Sequence, residues 1–252
     1  MNQSYQKQFL QNILFIDIET VSCVDRYEAL TTPMQELWDK KAATIRRYES
    51  ETFQNLFFDR APIYAEFGKV IVIGLGYISF VEGDLPILRV KSLRGHDEKA
   101  LLHDFKNLLE THFPSSALQL CAHNGKEFDF PYLCRRMVVN GIPLPSVLNV
   151  AGKKPWEVRH LDTMEMWKFG DRKSFTSLHL LATLLGITSS KEIMNGSEVN
   201  HYYYHKKELD KIADYCAQDV VVAAQLFLRL NFWNPLPPER IVLVEVDGAI
   251  GV

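Results

Sequence analysis

Strand and helix signals follow one another along this chain in an order that few folds accept. Ile13-Leu-Phe-Ile-Asp-Ile18 is a short β-rich apolar run, Lys69 to Phe80 is a longer one, and Ile87 to Lys91 comes next. Asp97 to His112 then carries apolar residues at 101, 102, 105, 108 and 109, the spacing of a helix with one buried face. Ala117 to Ala122 reads as a strand, Glu127 to Asn140 as a helix stopped by Gly141, and Val158 to Met164 as a further strand. Ser177 to Gly186 is a helix with a glycine C-cap, and Lys207 to Phe232 is a long helix ended by Asn234-Pro235 and Pro237-Pro238. Successive strands, then strands alternating with helices, predict an α/β fold with a mixed sheet flanked by helices.

With 252 residues, 47% of them hydrophobic, the chain can bury one sizeable core. No linker rich in Gly, Ser or Pro divides it and no long repeat recurs, so one domain over 1–252 is expected. Its core would span about 13–232, with a C-terminal extension at 233–252. The longest apolar run, Val70 to Val81, is broken by Gly74, Gly76 and Ser79 and is too short for a bilayer, which takes about 20 apolar residues. The N-terminus lacks a basic region followed by an apolar stretch, so no secretory signal is read. Cys23, Cys121, Cys134 and Cys216 form no CxxC pair. They read as reduced core residues of a cytoplasmic protein with no membrane partner. The net charge of −3 argues against a grip on nucleic acid by bulk positive charge, although two divalent cations would turn it to +1.

Residues 22–66, between the first two strands, are polar with scattered apolar anchors. Thr32-Pro33-Met34-Gln35 has capping-box spacing with proline at the first helical position, and Met34, Leu37, Trp38, Lys41 and Ile45 follow at helical intervals. A helical insertion is expected, forming either a wall of the site or a cover for the sheet edge.

Three features break the apolar pattern. Asp17 and Glu19 sit inside the first strand and, two residues apart, share a face, where repulsion and lost hydration demand cations or dense hydrogen bonding. Asp129 lies between Phe128 and Phe130 at a helix start, where a negative charge is favoured. Tyr215 and Asp219 are four apart on the last helix, hence neighbours, and the run Val220 to Ala224 marks that helix as buried. Taken singly, each has an ordinary reading: a solvated strand end, a helix cap, a core tyrosine beside a surface acid. Together they offer four carboxylates suited to Mg²⁺ or Mn²⁺, and two such ions can activate water and stabilise the leaving oxygen of a phosphodiester.

Phe15-Ile-Asp17-Ile-Glu19-Thr20, Asn124-Gly-Lys-Glu-Phe128-Asp129 and Tyr215-x-x-x-Asp219 resemble the three exonuclease motifs of the DEDD superfamily. The tyrosine indicates its tyrosine branch; a histidine five residues before Asp219 would mark the other, and that position is Asp214. The chain is most similar to the bacterial predicted 3′–5′ exonucleases related to the proofreading domain of family-B DNA polymerases. Ala65 to Ile71, Trp167 to Phe169, Ser177 to Ile187 and the Tyr215 helix share in the likeness, which covers about 13–232 and leaves out Glu239 to Val252. The resemblance implies a ribonuclease H-like fold, 3′–5′ exonuclease activity on single-stranded DNA and release of nucleoside 5′-monophosphates. It implies two divalent cations, Mg²⁺ or Mn²⁺, on Asp17, Glu19, Asp129 and Asp219, with Tyr215 orienting the nucleophile. Partners would be nucleic-acid 3′ ends, with replication or repair proteins as further candidates. A 3′–5′ exoribonuclease and a non-catalytic nucleic-acid-binding module of the same fold are the alternatives.

Substrate contacts are expected from Thr20, Asn124, Trp167, Lys168, Phe169 and Lys173, with Arg172 beside them, where basic and aromatic residues interleave. Trp167 and Phe169 could equally be core. His160-Leu-Asp162-Thr163 offers a further acid at a strand end. His201-Tyr-Tyr-Tyr-His205 lacks the glutamate of a zinc helix and reads as an aromatic cluster near the substrate entrance. Gly74-Leu-Gly76 lacks the third glycine and the following helix of a dinucleotide site.

Overall fold

A computed structural model describes residues 3–81, 85–113, 116–171, 175–188 and 194–244. Its strands are β1 Ile13–Ser22, β2 Gly68–Val81, β3 Leu85–Arg94, β4 Gln119–Ala122, β5 Leu161–Asp162 and β6 Ile241–Leu243. Its α-helices are α1 Gln3–Gln11, α2 Thr32–Ile45, α3 Phe53–Arg60, α4 Glu98–His112, α5 Asp129–Val139, α6 Thr163–Lys168, α7 Leu178–Leu184, α8 Val199–His201 and α9 Leu209–Leu230. A π-helical turn, Tyr202–Lys206, joins α8 to α9.

Among these residues the strands form one sheet in the order β5-β4-β1-β2-β3-β6. β1, β2 and β3 run antiparallel in turn, while β4 pairs parallel with β1, β5 with β4, and β6 with β3. This is the mixed sheet flanked by helices of the ribonuclease H-like class. Alternation along β1 splits the core. Leu14, Ile16 and Ile18 pack with α4 and α5 on one face, and Ile13 and Phe15 pack with α9 on the other. No described helix is long and apolar enough to cross a membrane.

The insertion is helical, and its anchors close on themselves. Trp38 is fully buried against Phe57 and Phe67, with ring centroids 5.3 and 5.1 Å away, and its Nε1–H donates to the Phe53 carbonyl. The capping box does not form: Thr31 is the N-cap, makes no side-chain cap bond, and Gln35 donates to the Tyr27 carbonyl instead.

Three elements differ from expectation. Residues 158–164 yield only the two-residue β5, because the Asp162 side chain accepts the N–H groups of Met164 and Glu165 and starts α6 at once. The last helix begins at Leu209, since Lys207 adopts the left-handed conformation (φ 58°). Within the extension, Ile241–Leu243 adds an edge strand to β3.

Candidate active site

Asp17 and Glu19 extend the face of β1 that Ile13 and Phe15 turn toward α9. That helix approaches unusually closely, and the Gly74-Leu-Gly76 sequence is the reason. In the β1–β2 register Asp17 lies opposite Gly74 and Phe15 opposite Gly76. A Cβ at Gly74 would stand 2.8 Å from Cys216 Sγ and from Val220 Cγ2, and one at Gly76 would stand 2.6 Å from Val220 Cγ1. The glycines are a seat for a helix, not a loop for a dinucleotide. Seated there, α9 brings Cys216 Sγ to 3.3 Å from Asp17 Oδ2 and 3.4 Å from the Asp17 carbonyl oxygen, as donor to both. One ligand-type atom from each of Asp17, Glu19 and Cys216 falls within 4.8 Å of the others. One turn separates Tyr215 from Asp219, and the phenol donates a hydrogen bond to that carboxylate.

Asp129 arrives from the edge of β1. The pairing of β4 with β1 ends at Phe15–Cys121, so farther along that edge the N–H of Ile18 has no strand to bond. Asp129, the first residue of α5, takes that place: its Oδ1 accepts the Ile18 N–H at 3.1 Å. Asp162 secures the approach to it. The buried Asp162 carboxylate also accepts the N–H groups of Asn124 (2.9 Å) and Lys126 (3.1 Å), holding the turn that leads into α5.

The assembled acids raise one another. Burial, then the charges of Asp219 and Asp129, push Asp17 and Glu19 well above the ordinary carboxylate range. Asp129 is pushed up to about 7 by burial, against the relief of its own N–H and that of Ile18, with Asp162 and Asp219 adding to the rise. Burial and then Asp219, Glu19 and Asp17 drive the Tyr215 phenol far upward, so it stays protonated and serves as a hydrogen-bond partner rather than a base. Burial followed by Asp17 and Glu19 keeps Cys216 a thiol. Buried acids that hold their protons more tightly than ordinary carboxylates fit positive charge in another form. Its oxygen donors are those that Mg²⁺ and Mn²⁺ favour.

The remaining expected residues are scattered more widely. Thr20 is buried and its Oγ1–H donates to the Pro62 carbonyl, fastening β1 to the insertion. Asn124 holds a left-handed turn (φ 65°), and its Oδ1 is buried with no hydrogen-bond partner among the described residues. Trp167 and Lys168 are half-buried at the end of α6, and Phe169 is 85% exposed in the left-handed C-cap. Arg172 and Lys173 lie outside the described residues. His160 is structural: burial lowers it to about 4, and its Nδ1 accepts the Leu120 N–H.

A cavity of about 320 Å³ opens beside Glu19, within the range of ligand sites of ~300–1,000 Å³. Phe58, Asp59 and Arg60 of the insertion wall it, together with Phe128 and Asn200. The insertion therefore walls this cavity. Sequence reasoning did not single out Phe58 or Arg60, though an aromatic and a basic residue two apart before Pro62 were the available signal.

A profile of the family described as "predicted 3′–5′ exonuclease related to the exonuclease domain of PolB" matches residues 64–235. A DNA polymerase of Pyrococcus glycovorans is 24% identical over 200 residues, covering 70% of this chain and 24% of the polymerase. The chain thus spans about a quarter of the length of that curated relative. The family B DNA polymerase of the archaeon Pyrobaculum calidifontis superposes with a TM-score of 0.50 at 15% identity, over 86% of this chain and 24% of that one. The RNase domain of the yeast Pop2 protein superposes at 0.40 with 11% identity, over 95% of this chain and 85% of that domain.

Proposed function

The chain belongs to the predicted 3′–5′ exonucleases related to the exonuclease domain of PolB, and from that membership we propose that it hydrolyses single-stranded DNA stepwise from the 3′ end to nucleoside 5′-monophosphates. The observation that carries the reading is the convergence of Asp17, Glu19 and Asp129 on Asp219, whose charge raises each of the other three. These four would hold two divalent cations, Mg²⁺ or Mn²⁺. When bound, the ions supply Lewis acidity, lowering the pKa of the attacking water and offsetting charge on the phosphodiester. Asp129 accepts the Ile18 N–H through Oδ1 and would present its remaining lone pairs to a cation. Tyr215 spends its O–H on Asp219, so its oxygen lone pairs remain to accept from the water and fix its direction. The cavity beside Glu19 gives the terminal nucleotide a place out of bulk solvent.

The test uses DNA and RNA oligomers labelled at either end, with Mg²⁺ or Mn²⁺ and with chelator. Metal-dependent shortening from the 3′ end of DNA is expected. Asp17→Ala and Asp219→Ala should fall to background while their circular dichroism stays native. Normal turnover by either variant, or turnover in chelator, would refute the reading. Faster cleavage of RNA would shift the substrate and leave the site assignment standing.

A further inference from the structure

The path of the strand behind its 3′ end is open to inference on top of the exonuclease reading. A ladder of rings leaves the cavity beside Glu19. Phe58, which lines that cavity, has its ring centroid 5.2 Å from that of His205, and His205 is 5.0 Å from His201, at mutual tilts of 39° and 44°. Phe58 is half-buried and both histidines are exposed. The ladder is held in place from beneath. Asn200 is buried; its Nδ2–H donates to the Phe58 carbonyl at 2.8 Å, and its Oδ1 accepts from the Ser22 N–H (3.0 Å) and hydroxyl (3.1 Å). One side chain thus pins the histidine segment to the insertion and to the end of β1, the strand that carries Asp17 and Glu19.

Positive charge collects on the same segment. Lys206 Nζ stands 3.8 Å over the Tyr202 ring, with Lys211 Nζ 4.7 Å from it, and Lys69 lies 5.1 Å over Tyr203. Arg60 adds a guanidinium at the cavity wall. The histidines are four apart, but no third His, Cys, Asp or Glu joins them in a metal-sized cluster among the described residues. Exposed aromatic side chains on a segment that also carries cations, continuous with a cavity lined by Glu19, are what a single strand requires when it is gripped by shape and stacking.

We propose that Phe58, His205 and His201 form a stacking track for the nucleotides upstream of the terminal one, with Arg60 and Lys206 facing their phosphates. The ligand is single-stranded nucleic acid, DNA or RNA, more than two nucleotides long.

The Asp17→Ala protein in EDTA serves as a binding-only form. Its affinity for 5′-labelled (dT)12, (U)12 and (dT)2 is read by fluorescence anisotropy, alone and with His201→Ala and His205→Ala added together. Loss of two stacking faces should weaken (dT)12 or (U)12 at least tenfold and leave (dT)2 within twofold. The comparison of (dT)12 with (U)12 shows which polymer the track prefers. His103→Ala, an exposed histidine on α4 across the sheet, should weaken neither. A double variant that binds both long oligomers like its parent overturns the track, as does equal weakening of (dT)2. A loss seen only with added Zn²⁺ would mark the pair as a metal site and overturn it as well. Wild-type cleavage measured in parallel separates the failures: hydrolysis that persists with binding indifferent to the histidines sinks the track alone, and absence of both cleavage and binding sinks the exonuclease reading too.

Discussion

Replacing Asp129 by asparagine removes one charge and keeps one acceptor. The amide oxygen can take the Ile18 N–H as Oδ1 does at 3.1 Å, so the two proteins differ chiefly in ionisation. In the unfolded chain the Asp129 carboxyl loses its proton near 3.8; in the folded, metal-free protein it does so at about 7. Between those values the folded state binds more protons than the unfolded one. Stability must therefore fall as pH rises through the window and level off above it. At 1.36 kcal/mol per pH unit the gap is worth roughly 4 kcal/mol. Metal-free Asp129→Asn should thus be about 4 kcal/mol more stable than wild type at pH 8, near 10 °C in Tm for a chain of this size, with the advantage gone by pH 4. The assay is thermal unfolding by circular dichroism in EDTA from pH 4 to 8.5, repeated with Mn²⁺. The cation should raise the wild-type Tm and reclaim most of the difference, while cleavage by the variant is lost. A variant no more stable than wild type at pH 8, or an advantage that ignores pH, would refute the account of the cluster as repelling acids awaiting cations.

Other consequences can be checked in the same preparations. Tyr215→Phe should lower kcat about 10- to 100-fold with metal affinity nearly unchanged, since the phenol holds Asp219 and water rather than an ion; a collapse of metal affinity would contradict that role. Gly76→Val places side-chain atoms inside Val220, so urea unfolding should show about 1–3 kcal/mol of lost stability together with reduced cleavage, because α9 carries Asp219 outward. Glu98→Ala strands Arg136, whose guanidinium it meets at 2.7 Å, and the Val70 N–H; a loss of about 3–5 kcal/mol in urea is expected, with residual activity in the part that stays folded.

Much of the architecture was legible because it follows from periodicity. The β1 and β2 runs, the one-faced α4 helix and the buried α9 helix are set by burial patterns that the sequence displays directly. The ends of elements were less so. Lys207 carries no mark of its left-handed turn, and Ile241-Val-Leu243 is too short a run to announce a strand until β3 offers it an edge. The acids were visible as charges out of place, and the structure draws them together. The means of drawing them together were not visible. Gly74 and Gly76 read as a broken nucleotide motif because their task, admitting α9, depends on a helix more than a hundred residues later. Asp162 read as a loose strand-end acid because its four N–H partners come from two separate turns. Thr20 and Phe58 depend on how the insertion folds back, which no local pattern records.

The short β6 strand has a practical consequence for anyone trimming the chain. The shared family region stops at residue 235, yet Ile241–Leu243 covers part of the outer rim of β3. Cutting at the limit of homology would leave that rim's amides and carbonyls open to pair with a neighbouring molecule, the usual start of sticky, sheet-to-sheet aggregates. The family-matched region and the paired sheet therefore have different borders, and a truncation that keeps the edge of β3 covered extends beyond residue 243.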